Sequence, residues 1–174
     1  MDKTTEDILT RRSCKSYKPD KVDRALIEQV IHAGLCAASG MNFQSPIIVA
    51  VTNDELRKKL TELNSKYDKK KRIDPYYGAP VILVVLADTT YPTAVYDGSL
   101  TMGNMMLQAH ALGLGSCWIH RAKEVFDDPE GREIFRKMGI GDNYVGVGNL
   151  ALGYAKTENK NPHEIKENRV FWAE

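Results

Sequence analysis

The sequence predicts a single domain of the α+β class. Three observations carry that reading: the chain is 174 residues long, 43% of it is apolar, and runs with strand character alternate with stretches of helical periodicity. A chain of this size buries about 70% of its unfolded surface, enough for a real core. Lys and Arg number 24 against 23 Asp and Glu, a net charge of +1. That balance speaks against an electrostatic nucleic-acid binder, and the apolar content speaks against disorder.

The elements follow in order. Thr4 or Thr5 caps a first helix that runs to about Arg12, with Asp7 placed for a capping box. Asp23 caps a second, carrying Leu26, Ile27, Val30 and Ile31 at helical spacing and ending near Gly40. Ile47 to Thr52 is β-branched and apolar, hence a buried strand. Asn53 caps a third helix with a Leu56, Leu60, Leu63 stripe, followed by a basic, aromatic loop from Lys66 to Tyr77. Pro80 to Leu86 is apolar throughout, as expected of a strand covered on both faces. Ala94 to Leu112 is the longest helix and is apolar nearly all round, which places it in a deep core or an interface. Gly113 and Gly115 end it, and Ser116 to Ile119 is a short strand. Pro129 opens another helix, and Tyr144 to Tyr154 is a glycine-spaced strand. Residues 162–174 form a polar tail ending in Val170, Phe171 and Trp172, a pair of aromatics that needs a surface to dock on.

The longest apolar run, Ala79 to Ala87, is too short to span a bilayer, and the first twelve residues lack the apolar core of a secretory leader. Cys14, Cys36 and Cys117 are scattered, so reduced thiols in the cytoplasm are expected, each a small buried hydrophobe. The run Lys69 to Arg72 reads as a solvated loop. Phosphate-loop, GxGxxG, GxSxG and HExxH motifs are absent, and His32, His110, His120 and His163 show no metal-binding spacing, so no metal site is expected. With neither triad nor metal cluster, the chemistry falls to a cofactor.

Two clusters are candidates to hold one. Arg11-Arg12-Ser13-Cys14-Lys15 places three cations and a hydroxyl at a helix end. It reads either as an anion site, through arginine forks, or as a helix C-cap. Ala37 to Pro46, with Ser39, Asn42 and Gln44, reads either as a ligand-facing loop or as an ordinary helix-to-strand turn.

Together these segments resemble the nitroreductase family of FMN-dependent oxidoreductases. Arg11 to Lys15 looks like its Arg-Arg-Ser-x-Arg opening, and Ala38-Ser39-Gly40-Met41-Asn42-Phe43-Gln44 like its Pro-Ser-x-x-Asn-x-Gln segment. Gly103 to Ala109 running into Gly113 to Ile119 resembles its central helix and following strand, and Leu152-Gly153-Tyr154 its late Gly-Tyr. The resemblance implies a three-layer α/β/α sandwich with a mixed, mainly antiparallel sheet. It also implies a homodimer with FMN at the interface and C-terminal arms, about residues 162–174, exchanged between subunits. NADH or NADPH would donate hydride, and a small organic acceptor such as a nitroaromatic or quinone would take the electrons in a ping-pong cycle.

By the same resemblance, Arg11 and Ser13 would hold the FMN phosphate, with Arg12 on the phosphate or ribityl side. Lys15 would reach the N1–C2 carbonyl edge of the ring. Ala38, Ser39, Gly40, Asn42 and Gln44 would approach from the other subunit. Trp118, Ile119, His120 and Arg121 would line the ring, a backbone N–H near His120 or Arg121 facing N5, and Lys160 would supply a late phosphate cation. Ala38 departs from the family's Pro, Lys15 from the commoner Arg, and Glu158 from a frequent basic residue. Competing expectations are other FMN chemistry on the same scaffold (dehalogenation or flavin fragmentation), a flavin-binding sensor, and a plain interaction domain.

Overall fold

The computed structural model describes residues 1–174 apart from 158, 160 and 162. Helix α1 (Lys3–Thr10) is capped by Asp2, whose carboxylate accepts from Thr5 N at 3.0 Å. The expected Thr cap with Asp7 in a capping box does not form, because the Asp7 carboxylate is taken by Lys3 one turn back. The helix stops at Thr10, short of Arg12, since Arg11 is already extended at φ −57° and ψ 129°. Helix α2 (Arg24–Leu35) starts at the expected Asp23 cap but ends well before Gly40. A 3-10 turn, Gly40–Asn42, then leads into strand β1 (Pro46–Val51).

Asn53 caps α3 (Asp54–Lys66) through Leu56 N at 2.9 Å, as its sequence demands. Strand β2 (Val81–Asp88) is buried at every position but Asp88. Helix α4 (Ala94–Ala111) ends where Gly113 turns left-handed at φ +73°, which lets Leu114 N reach back to the Ala109 carbonyl at 2.8 Å. Among the described residues, strand β3 (Gly115–Ile119), helices α5 (Ala122–Asp127) and α6 (Pro129–Arg136), and strand β4 (Tyr144–Gly153) complete the helices and strands. Helix α5 was not expected: at six residues it is too short to show a period, and its N-cap, Arg121, makes no side-chain cap bond.

The four strands form an antiparallel sheet in the order β1-β2-β4-β3. The parallel component is an isolated bridge between Ser13 and Ser116, which lays the Arg11 to Lys15 segment along the β3 edge. Alternate residues of β2 feed two cores. Ile82, Val84 and Leu86 pack with Leu60, Leu63, Phe126 and Phe135 from α3, α5 and α6. Leu83 and Val85 pack with Val30, Met102 and Met105 from α2 and α4. The fold is therefore three layers deep, helices on both faces of the sheet.

Helix α4 is buried along one side only; Val95, Tyr96 and Leu100 lie exposed on the other. The tail is exposed as well, with Phe171 at 87% and Trp172 at 85%. Cys14 and Cys117 are buried free thiols, whereas Cys36 is exposed because α2 ends before it. Gly146 lets β4 touch the start of α5: a Cβ there would lie 2.2 Å from the Ala122 carbonyl carbon. Neither backbone can yield cheaply, so Gly146→Ala is expected to cost about 2–4 kcal/mol in urea denaturation. Parent-like stability would mean that this contact is not tight.

Candidate functional site

Extended backbone explains how the first cluster works. Side chains alternate along Arg11 to Lys15, so Arg11, Ser13 and Lys15 share one side while Cys14 points into the core. Arg12, on the other side, donates from Nη1 to the Leu9 and Arg11 carbonyls at 2.8 Å each and from Nε to the Asn161 carbonyl at 2.7 Å. The helix C-cap and the anion site were alternatives in the sequence; the structure gives the C-cap to Arg12. Arg11 is different: its Nη1 is buried with no hydrogen-bond partner among the described residues. A buried cationic donor without an acceptor is costly, and an anionic ligand would satisfy it. A cavity of about 440 Å³ along the same segment is lined by Arg12, Ser13, Gly115, Thr157 and Asn161 among others, and Arg11 is not among its lining residues. Burial pushes the Cys117 thiol up, against the opposing pull of the Ser13 hydroxyl and the Lys15 and Arg11 charges, which places all three near β3.

The second cluster is a strained loop. Met41, Asn42 and Gln44 all have positive φ, at 47°, 58° and 51°. Ser39 Oγ accepts from Gln44 N at 3.0 Å, and Gln44 Nε2 donates to Asn42 Oδ1 at 3.2 Å. Asp97, 3% exposed on the first turn of α4, fastens this loop. Its carboxylate accepts from Gly40 N at 3.0 Å, Ser45 Oγ at 2.9 Å and Thr93 Oγ1 at 3.0 Å. Burial alone would raise its pKa, but these three donors outweigh burial and hold it below the ordinary carboxylate value. Ala38, Met41, Asn42 and Gln44 are exposed, so the loop presents both apolar and amide side chains outward.

The two clusters do not meet within one chain. The loop enters β1 at one edge of the sheet, and Arg11 to Lys15 lies along β3 at the other. Three strand spacings, roughly 14 Å, separate those edges.

Residues 118–121 end β3. Trp118 packs over Gly148, where a Cβ would lie 2.7 Å from its Nε1; Ile119 is buried in the core and His120 is exposed. The Arg121 side chain does not face outward. It runs back to α3, donating to Asn64 Oδ1 from Nε at 3.1 Å and from Nη2 at 2.9 Å, with Asp68 at 3.7 Å. Asp68 also pairs with Arg72, whose guanidinium holds that carboxyl well below the usual range, so Arg72 is not merely solvated loop. Lys160 lies outside the described residues. A second cavity, of about 710 Å³ between α2 and the β1–β2 edge, contains none of the expected residues. Among the described residues no group of His, Cys, Asp and Glu could hold a metal ion, and no helix is long and apolar enough to cross a membrane.

Asp97, Asn64 and Asp68 were missed as anchors. The available signal was a polar residue on an apolar helix face: Asn64 falls four residues after Leu60, in the core-facing stripe.

The structure is an α/β/α sandwich in which, among the described residues, the buried Arg11 Nη1 at a sheet edge has no hydrogen-bond partner. Residues 8–154 match the Nitroreductase family. The fold superposes on a nitroreductase with bound FMN from Bacteroides fragilis, at 28% identity, a TM-score of 0.87 and full coverage of both chains. A nitroreductase with bound FMN from Desulfitobacterium hafniense gives 25% identity, a TM-score of 0.89 and the same coverage. An NADPH-flavin oxidoreductase of Vibrio harveyi is 27% identical over 164 residues, 88% of this chain and 66% of the relative. The chain belongs to the nitroreductase family of FMN-dependent oxidoreductases.

Because the Asp97 carboxylate is stabilised in the folded state, its contribution is present above pH 4 and lost as pH falls through its folded pKa. Asp97→Ala is expected to lose about 2–4 kcal/mol at pH 7 by chemical denaturation, the gap from parent narrowing below about pH 4. A gap independent of pH would remove the carboxylate charge from this role.

Proposed function

We propose that this chain works as a homodimer in which each FMN is held by the Arg11 face of one chain and the 38–44 loop of the other. It would pass two electrons, in ping-pong fashion, from NAD(P)H to a small organic acceptor of the nitroaromatic or quinone kind. The orphaned Arg11 Nη1 carries this reading, because a phosphate is the group that would satisfy it. FMN, when bound, supplies the hydride-accepting N5 and storage for two electrons.

The protein's own groups then have separate tasks. Arg11 and Ser13 bind the phosphate. Lys15, two residues further along the same extended face, would supply a cation for the N1–C2 carbonyl edge of the ring, where it would favour the reduced flavin. Ser39, Gly40 and Asn42 of a second chain cover the ring. Arg12 is left to hold the end of α1 against Asn161, not the ligand. Two observations support the dimer: the clusters lie at opposite sheet edges, and apolar groups on α4 and on the tail (Tyr96, Leu100, Phe171, Trp172) are left exposed. Docking of the tail on a partner would bury the latter.

The visible spectrum of the purified protein tests the reading, followed by NADH or NADPH titration without oxygen. Flavin absorbance that bleaches is expected; flavin that stays oxidised would indicate a binding protein, and a colourless protein unable to take up FMN would overturn the assignment. Arg11→Ala is expected to weaken FMN binding at least about tenfold while leaving riboflavin binding nearly unchanged. Retained FMN preference would take the phosphate away from Arg11. Lys15→Met is expected to lower the midpoint potential of the bound flavin with the fold intact, and an unchanged potential would remove Lys15 from the ring edge.

A further inference from the structure

The larger cavity, of about 710 Å³, shares no residue with either cluster. It opens between the N-terminal half of α2, the end of β1 at Ala50 and the start of β2 at Val81. The 38–44 loop enters β1 at the other end, and about 13 Å of strand separate Pro46 from Ala50. Arg11 to Lys15 lies at the opposite edge of the sheet. The volume is that of a small-molecule pocket.

Its floor is apolar: Val22, Ile27 and Val81 are all buried. Its rim is cationic, with Lys21, Arg24 and Arg57 against Glu28 and Asp54. Arg24 is occupied by Glu28 at 2.8 Å. None of the ion pairs among the described residues takes Lys21. Arg57, in the first turn of α3, is the group that calls for a ligand. Its Nη2 reaches the exposed Asp54 carboxylate at a long 3.3 Å. Its Nε is buried and has no hydrogen-bond partner among the described residues. Nε and Nη2 form one edge of the guanidinium, and such an edge takes a carboxylate through two parallel bonds. A buried cationic donor without an acceptor is costly, and a ligand carboxylate would remove that cost.

We propose that this cavity is a second binding site, for a small organic carboxylate with an apolar body. The head sits on the Nε edge of Arg57, with Lys21 adding charge from the rim, and the body covers Val22 and Ile27. A bare inorganic anion would leave that apolar floor uncovered. No residue of this site belongs to the flavin reading, so the two stand or fall separately.

The test is isothermal titration of the purified protein, in excess FMN to fill any flavin site. The probes are 4-phenylbutyrate and 4-phenylbutanol, which differ in charge and little in shape. The parent is expected to bind the carboxylate at least about tenfold more tightly than the alcohol. Arg57→Met keeps an apolar stem and removes the donors, so it is expected to bind both probes alike, with FMN affinity unchanged. Arg11→Ala is expected to keep the carboxylate preference. If Arg57→Met does not fold, the Arg57 Nε–H resonance of the parent, followed by NMR, asks the same question. It is expected to move with the carboxylate and to stay put with the alcohol. No binding by the parent, equal affinity for the two probes, a preference that survives Arg57→Met or is lost in Arg11→Ala, or an Nε–H resonance unmoved by the carboxylate would each overturn the inference. A parent that takes up no FMN yet shows the Arg57-dependent preference overturns the flavin reading alone.

Discussion

Strand order is the constraint on which the rest depends. Because β1 and β3 occupy opposite edges of the sheet, the loop feeding β1 and the cationic segment beside β3 are held apart by the two strands between them. β2 is buried almost end to end and carries both cores, so the sheet cannot fold over to bring them together. On the proposed reading these are two half-surfaces of a site, and the proposed dimer is the arrangement in which each half finds its complement. The exposed apolar side of α4 and the aromatic end of the tail fit the same geometry.

Two segments of the chain use strained backbone held by buried polar groups. Around residues 41–44 the anchor is the Asp97 carboxylate, and at Arg121 it is Asn64 with Asp68. In each case a helix on the sheet face, α4 or α3, supplies the anchor from the core. Left-handed residues without glycine persist only where surrounding bonds over-determine them, and such places concentrate where backbone groups must be presented to a ligand. The protein's contribution to flavin chemistry is, on this account, mostly preorganisation of cations and of the 38–44 loop.

Much of the fold was legible because burial imposes periodicity. The continuous apolar run of β2, the Asn53 and Asp23 caps and the Leu stripe of α3 were each readable from neighbouring residues. What escaped was set by contacts distant in sequence. The early end of α2 accompanies an extended Ser39 and the capture of Gly40 N–H by Asp97, 57 residues away. Helix α5 starts at an arginine held left-handed by α3, so no ordinary cap residue marks it. At the site, the Arg11 to Lys15 cluster was visible, but the division of labour between Arg11 and Arg12 was not, since it depends on the tail carbonyl of Asn161. Asp97, in the first turn of a helix, reads as an ordinary partner of the helix dipole until the loop folded against it is seen.

Sedimentation equilibrium followed at both protein and flavin wavelengths tests the central claim most directly. A site built from two chains predicts flavin absorbance travelling only with a species of twice the chain mass, one FMN per chain. Fully occupied flavin sedimenting with a single chain would contradict it.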